Sequence, residues 1–184
     1  MPHIGISPEL PGILGLFAFR AETAGPLRGL TETLLRGPST LTPAEREIIA
    51  AHVSRLNQCV FCFKSHAAAA GALLGVGAGI IEQLSHETLP ATISAKLAAL
   101  LAIATQVQRG GNAVSADTVA AARAAAATDV EIHDTVLIAA AFCMFNRYVD
   151  GLATVAPAPN EAYLEMGKVL AEHGYSEPPS TNGG

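Results

Sequence analysis

The sequence contains no Trp, and aromatic residues make up only 5% of its 184 positions, although hydrophobic residues make up 50%. Its apolar content therefore comes from Ala, Leu, Ile and Val, which favours closely packed helices. The eleven Lys and Arg residues form no cluster, and the formal net charge is -5. Because such a chain lacks the basic patch that neutralises phosphates, we expect no nucleic-acid partner.

The sequence also has no apolar run of membrane-spanning length. Its longest apolar stretches, 97–103 and 136–145, fall short of the ~20 residues that a span requires. Its start shows no basic segment followed by an apolar run, which is the pattern of a signal peptide. These absences predict a cytoplasmic protein with no membrane partner. The length favours one domain over 1–175, followed by a disordered tail over 176–184.

Strand and hairpin signals are scarce, whereas helix signals are frequent. Thr42-Pro43-Ala44-Glu45 combines an N-cap, a Pro at the first helical position and a Glu three residues after the cap. This capping box predicts a helix from Pro43 to about Leu56. A second capping box at 128–131 predicts a long helix to about residue 152, so the expected fold class is all-α. Further helices are predicted over 13–23, 26–36, 59–74, 80–84, 94–108, 115–127 and 160–172.

Two of the three cysteines have a C-x-x-C spacing, Cys59 and Cys62, and the third is Cys143. Three cysteines cannot all pair within one chain, and this spacing in a reducing compartment indicates redox or metal chemistry. Cys143 lies in an apolar helical run, so we expect it to be buried in the core.

The cysteine pair belongs to a longer pattern, E-x11-C-x2-C-x3-H, formed by Glu47, Cys59, Cys62 and His66. On one helix, the cysteines and His66 fall within an arc of roughly 60°. His66 follows Cys62 by four residues, the spacing at which side chains on successive turns meet, so it is placed to deprotonate that thiol.

Glu47 joins this group only if the chain reverses direction. Twelve residues of straight helix would put it ~18 Å from Cys59. If the chain turns near Asn57, however, an antiparallel helical hairpin places Glu47 beside His66. The sequence therefore predicts a carboxylate that orients an imidazole, which in turn serves a thiol.

This pattern resembles the alkylhydroperoxidase D-like (AhpD-like) branch of the carboxymuconolactone decarboxylase superfamily, over about residues 30 to 72. The run Phe145-Asn146-Arg147-Tyr148-Val149-Asp150-Gly151-Leu152 is similar to the late helix of the peroxidase-related members of that branch. The resemblance implies an AhpD-like helical domain, with the C-x-x-C at the start of a helix in a helical hairpin.

The resemblance also implies a function. Cys62 would attack a hydroperoxide, Cys59 would resolve the product to a disulfide, and His66 and Glu47 would relay protons. It further implies a trimer or hexamer that needs no cofactor or metal, with a thioredoxin-like or lipoyl protein as the dithiol reductant. One position departs from the best-known members, since Phe61 stands where they have a further His.

Two alternatives compete with this interpretation. Cys59, Cys62, His66 and Glu47 are an acceptable ligand set for zinc, which would make the protein a non-catalytic metal-binding or scaffold protein. The cysteines are also consistent with two structural, buried thiols. On the late helix, the spacing of Arg147 and Asp150 most simply predicts a surface ion pair.

The division of labour between the cysteines rests on two opposing arguments. The helix start favours a low pKa at Cys59, whereas the neighbouring base favours Cys62 as the nucleophile. We expect Cys62 to be the nucleophile and Cys59 to resolve, and we expect Cys59 to lie nearer the solvent.

Overall fold

The computed structural model describes residues 1–77, 79–86 and 93–176. Within these ranges the chain is all-α, with nine α-helices, a single 3-10 turn and no strand. The predicted tail over 176–184 lies outside the described residues from residue 177 onward. The helices are α1 (Ile13–Phe19), α2 (Ala21–Arg36), α3 (Pro43–Leu56), α4 (Val60–Leu74), α5 (Gly79–Ser85), α6 (Ala95–Arg109), α7 (Ala116–Ala124), α8 (Asp129–Gly151) and α9 (Asn160–His173).

Side-chain caps begin several of these helices. At α3, the Thr42 side chain accepts a hydrogen bond from the Glu45 backbone N–H, and the Glu45 carboxylate accepts one from the Thr42 N–H. Thr128 and Glu131 form the same reciprocal pair at α8. Each pair satisfies two backbone donors that a helix start leaves without partners. Both predicted capping boxes are confirmed.

Two predicted boundaries are wrong for local reasons. The break between the first two helices lies at Arg20 rather than between Thr23 and Pro26, because Pro26 is accommodated inside α2 at the loss of one backbone hydrogen bond. Helix α7 ends at Ala124, three residues earlier than predicted, because Ala126 adopts a left-handed conformation (φ 67°) that a helix does not continue through.

Helices α3 and α4 form the antiparallel hairpin that the cysteine pattern requires. Gln58 makes the reversal with a positive φ of 61°, and the Cys59 N–H then donates to the Ser54 carbonyl (3.0 Å). The hairpin packs against α9 at very close range, because a Cβ on Gly167 would lie 2.6 Å from the Ala68 backbone. Small residues on α4 and α9 thus bring the two helices together.

The hydrophobic core lies between this hairpin and helices α6 and α8. Leu100 and Ile103 of α6 and Ile138 and Phe142 of α8 are almost completely buried. Helix α3 carries even charged side chains, Arg46 and Glu47, inside the protein. In the described part of the chain, no helix has the length and apolarity of a membrane span.

Candidate active site

The two cysteines lie at the start of α4. Cys59 is the N-cap residue and Cys62 lies in the first turn. Both are reduced and buried, with 0% and 4% of their surface exposed. The expectation that Cys59 lies nearer the solvent is therefore wrong. The reason is that the tight turn at Gln58 places Cys59 in the protein interior, whereas Cys62 lines a cavity.

The two thiols interact directly. A hydrogen bond with Cys62 and burial together raise the pKa of Cys59 far above its ordinary value. Cys59 is therefore held in its protonated form beside the Cys62 sulfur.

The hairpin sets Glu47 of α3 beside His66 of α4, as the sequence predicts. The Nδ1 atom of His66 lies 2.7 Å from Oε2 of Glu47. Because a carboxylate only accepts hydrogen bonds, this nitrogen carries a proton and Nε2 is the nitrogen that remains to accept one. His66 is 8% exposed and Glu47 is 0% exposed, so their pairing takes place away from water.

Two further residues complete this group, and no sequence pattern predicted either of them. The guanidinium of Arg36, at the end of α2, lies 2.6 Å from Oε1 of Glu47. The hydroxyl of Tyr175, just beyond α9, donates to the same oxygen at 2.6 Å and lies 3.2 Å from His66 Nδ1. The Arg36 guanidinium also stacks over the Tyr175 ring, with its carbon 5.1 Å from the ring centre.

These contacts determine the charge state of the buried carboxyl. Burial alone would raise the pKa of Glu47, but His66, Arg36 and Tyr175 outweigh it, so the pKa lies below its ordinary value. Glu47 is therefore a carboxylate and has at least one cationic partner. Burial and the adjacent Glu47 charge raise the pKa of Tyr175 well above its ordinary value, which keeps the phenol protonated as a donor.

A cavity of about 510 Å³ opens next to this group. Apolar residues of α1, α4 and α9 form most of its wall, and His66, Tyr175 and Arg28 lie at its edge. A second cavity of about 60 Å³ reaches Cys62 and shares His66, Phe61 and Arg28 with the first. The apolar wall of the larger cavity consists of Ile13, Leu14, Phe17, Phe61, Met166, Val169 and Leu170.

The four predicted residues do not converge as metal ligands. Glu47 uses both of its oxygens on Arg36, Tyr175 and His66, and His66 directs Nδ1 at Glu47. Among the described residues, no cluster of three or more His, Cys, Asp and Glu side chains has the arrangement of a metal site. This geometry suits proton relay to a thiol better than a tetrahedral zinc site.

Two further sequence expectations concern residues of α8. Cys143 is buried in the core, as expected. Arg147 donates to the Cys143 carbonyl (3.0 Å) from an exposed position. Arg147 and Asp150 do not form the predicted surface ion pair, although both side chains are exposed.

The model of the carboxymuconolactone decarboxylase family matches residues 21–78, which include the whole hairpin up to the end of α4. Among solved structures, an uncharacterized peroxidase-related protein from Silicibacter sp. TM1040 superposes with a TM-score of 0.74. The two sequences are 27% identical, and the match covers 84% of this chain and 78% of that one. Residues 21–78 of this chain thus match the carboxymuconolactone decarboxylase family, and the fold of the chain is AhpD-like.

A second structure extends the likeness of this AhpD-like protein at the level of the fold. It is an AhpD core, an uncharacterized peroxidase-related protein from Ralstonia eutropha JMP134, with 24% identity and a TM-score of 0.74. The match covers 86% of this chain and 82% of that one. Among the curated proteins, none matches this chain.

Proposed function

We propose that this AhpD-like protein is a thiol-dependent hydroperoxidase in which Cys62 is the nucleophile. The observation that carries the proposal is that Cys62 and His66 line the same cavity, while Glu47 forms a hydrogen bond with Nδ1 of the His66 imidazole. Nucleophilic thiol chemistry needs this combination of a thiolate, an adjacent base and a group that orients the base.

The reaction would begin with transfer of the Cys62 proton to Nε2 of His66. Glu47 stabilises the imidazolium that forms, and Arg36 and Tyr175 hold Glu47 in place. The thiolate then attacks the terminal oxygen of the hydroperoxide and the O–O bond breaks. The products are a sulfenic acid on Cys62 and an alcohol, which takes the proton back from His66.

In the second half of the cycle, Cys59 would react with the oxidised Cys62. Cys59 lies beside Cys62, so its sulfur is placed to attack the sulfenic acid. The S–S bond forms, the S–O bond breaks, and the Cys59 proton leaves with the hydroxyl group as water. A dithiol protein of the thioredoxin-like or lipoyl class would then reduce that disulfide. Neither step requires a cofactor from outside the chain.

The apolar wall of the larger cavity indicates which hydroperoxide is preferred. Phe17, Phe61 and Met166 offer surface to an organic group, which hydrogen peroxide does not have. We therefore expect faster oxidation by a bulky organic hydroperoxide than by hydrogen peroxide.

Thiol titration with a small excess of cumene hydroperoxide tests this function. In a Cys143→Ser background, one equivalent should consume two thiols and leave a disulfide between Cys59 and Cys62. Cys62→Ser should consume almost none, whereas Cys59→Ser should stop at a trappable sulfenic acid on Cys62.

Two results would contradict the proposal. Trapping the sulfenic acid on Cys59 in the Cys62→Ser protein would reverse the assignment of the nucleophile. Stoichiometric zinc in freshly purified protein, lost on Cys59→Ser, would instead support the metal-binding alternative.

A further inference from the structure

The late-helix motif, residues 145–152, sends one polar side chain into the core. Asn146 is 1% exposed, although its amide has two donor hydrogens and an acceptor oxygen. A helix position that served packing alone would more often carry an apolar residue at this depth. The partners of this amide therefore indicate what it does.

Asn146 belongs to a continuous chain of hydrogen bonds. The Gln108 amide of α6 donates to Oδ1 of Asn57 (2.9 Å), and the Asn57 amide donates to Oδ1 of Asn146 (2.8 Å). Nδ2 of Asn146 then donates to the Ser54 hydroxyl (3.0 Å), which itself donates to the Ala50 carbonyl (2.8 Å). Because every bond runs in the same direction, the bonds polarise one another, and a satisfied buried network of this kind fixes one arrangement of the helices it joins.

Asn146 meets the hairpin at the turn that places Cys59. Asn57 immediately precedes the turn residue Gln58, and the Ser54 carbonyl accepts a hydrogen bond from the Cys59 N–H (3.0 Å). Gln58 has a positive φ of 61°, a conformation that residues with a side chain adopt at an energetic cost and keep only where the surrounding structure holds them. Through Ser54 and Asn57, Asn146 supports this turn from inside the protein.

We propose that Asn146 is a positioning residue for Cys59 in the disulfide-forming step. The inference rests on the proposed peroxidase cycle and gives the late-helix motif a role in its second half. Cys59 is the N-cap residue of α4 and Cys62 lies in the first turn, so the path of the chain through the turn decides where the Cys59 sulfur lies relative to Cys62. Asn146 fixes that path through Ser54 and Asn57.

A fixed turn raises the effective concentration of one thiol at the other. Groups held in reacting geometry gain large effective concentrations, and a misplacement of ~1 Å costs about 10²-fold in rate. A disulfide also has narrow geometric limits, so it forms readily only where the backbone positions of both cysteines suit it. Loss of the support should therefore slow formation of the Cys59–Cys62 disulfide and weaken it at equilibrium. The attack of Cys62 on peroxide should not change.

Asn146→Ala in the Cys143→Ser background separates the two halves of the cycle. Single-turnover trapping and mass spectrometry should show Cys62 oxidation at the parental rate. Disulfide formation should slow by about 10²-fold, so the sulfenic acid on Cys62 should accumulate. The Cys143→Ser protein is the parent for every comparison, because the Cys143 sulfur itself accepts a hydrogen bond from Asn57 (3.6 Å).

The reduction potential of the Cys59–Cys62 couple distinguishes positioning from general support of the fold. It is measured at equilibrium against a reference dithiol, without peroxide. A 10²-fold loss of effective concentration makes the potential about 60 mV less negative, at ~30 mV per tenfold change. Asn57→Ala removes the same link at a half-buried position and should shift the potential in the same direction. The double variant should shift it little further, because both residues act through one bond.

Thr135→Ala is the matched control on α8. Thr135 is 0% exposed, and its hydroxyl donates to the Glu131 carbonyl (2.8 Å). It lies about three helical turns before Asn146, away from the hairpin turn. Because this variant removes a buried polar group from the same helix, it should lower the stability to urea while leaving both rates and the potential at their parental values.

The two proposals fail in different ways. Parental disulfide formation and a parental potential in both Asn146→Ala and Asn57→Ala would overturn the role of Asn146 alone. Equal slowing of both steps with an unchanged potential would refute positioning in favour of a structural role, and Asn57→Ala decides if Asn146→Ala does not fold. Absence of any Cys62 oxidation in the parent would overturn the peroxidase function, and the potential would still test Asn146.

Discussion

At the scale of single residues, the centre of this site is a carboxylate rather than a thiol. Glu47 is fully buried and has three partners, each from a different part of the chain: Arg36, His66 and Tyr175. Removing one member of a buried ion pair leaves the other charge without compensation, which costs about 3–5 kcal/mol. The residue spacing predicted only a proton-relay role for Glu47, whereas its burial gives it a structural role as well.

Glu47→Gln should therefore have two effects. It should slow Cys62 oxidation at least tenfold, because an amide does not stabilise the imidazolium of His66. It should also lower the free energy of unfolding by about 3 kcal/mol, because the Arg36 guanidinium loses its charged partner in a largely buried site. Single-turnover oxidation and urea unfolding measure the two effects separately.

Glu45→Gln provides the control on the same helix. It removes the charge but keeps a side-chain oxygen for the capping box of α3, so it should cost at most ~1 kcal/mol of stability without changing the oxidation rate. Parental oxidation kinetics in Glu47→Gln would show that the relay does not pass through this carboxylate.

At the scale of the elements, the sequence predicted what local signals encode. The hairpin and the Glu47–His66 contact follow from residue spacing on two helices joined by a turn, and the capping boxes mark the starts of α3 and α8. Arg36 and Tyr175 carried no such signal. Arg36 ends α2, and Tyr175 follows Gly174 after α9. Their contacts with Glu47 form only when these distant helices pack together.

Arg147 illustrates a different limit. Its spacing from Asp150 on the helix predicted a surface ion pair, but its guanidinium donates to the Cys143 carbonyl one turn earlier instead. Residue spacing shows which side chains can meet on a helix and does not show which acceptor a long side chain uses.

A hydrogen bond between elements gives a pH-dependent test of the α3–α6 packing. His52 of α3 lies 2.8 Å from the Thr105 hydroxyl of α6. Burial and the nearby Arg55 lower the pKa of His52 to about 4 from 6.5. Between pH 6.5 and about 4, His52 therefore binds a proton in the unfolded chain but not in the folded protein. The free energy of unfolding consequently falls as the pH drops through this range.

We expect the free energy of unfolding to fall between pH 6.5 and 4, with His52 contributing a slope of at most about 1.4 kcal/mol per pH unit. His52→Gln should reduce the slope, as measured by urea unfolding across this range. His173→Gln is the control, because that side chain is largely exposed. An unchanged slope in His52→Gln would mean that His52 is protonated equally in both states.

At the scale of the whole molecule, part of the apolar surface remains uncovered. Val130, Leu137 and Met144 are 59%, 40% and 44% exposed, and they follow one another at intervals of seven residues along α8. Such a stripe is the kind of surface that a second helix covers in an oligomer. It fits the expectation of a homo-oligomer, a trimer or hexamer.

Light scattering at micromolar concentration should therefore give a mass several times that of one chain, and Leu137→Lys should shift it toward the monomer. Leu74→Lys changes an equally large exposed apolar residue outside the stripe (48% exposed) and should leave the assembly intact. A monomeric parent would refute the oligomer, and an intact assembly in Leu137→Lys would place the contact elsewhere.

The position of Tyr175 also has a consequence for how the protein is made. Chains are synthesised from the N-terminus, and Tyr175 joins Glu47 and His66 across separations of 128 and 109 residues. While the chain is being extended, the cysteines, the imidazole and the carboxylate already exist, but the phenol and the α9 wall of the cavity do not. A nascent chain therefore carries its thiols for most of its synthesis without the finished pocket, so the proposed peroxide chemistry would begin only in the completed chain.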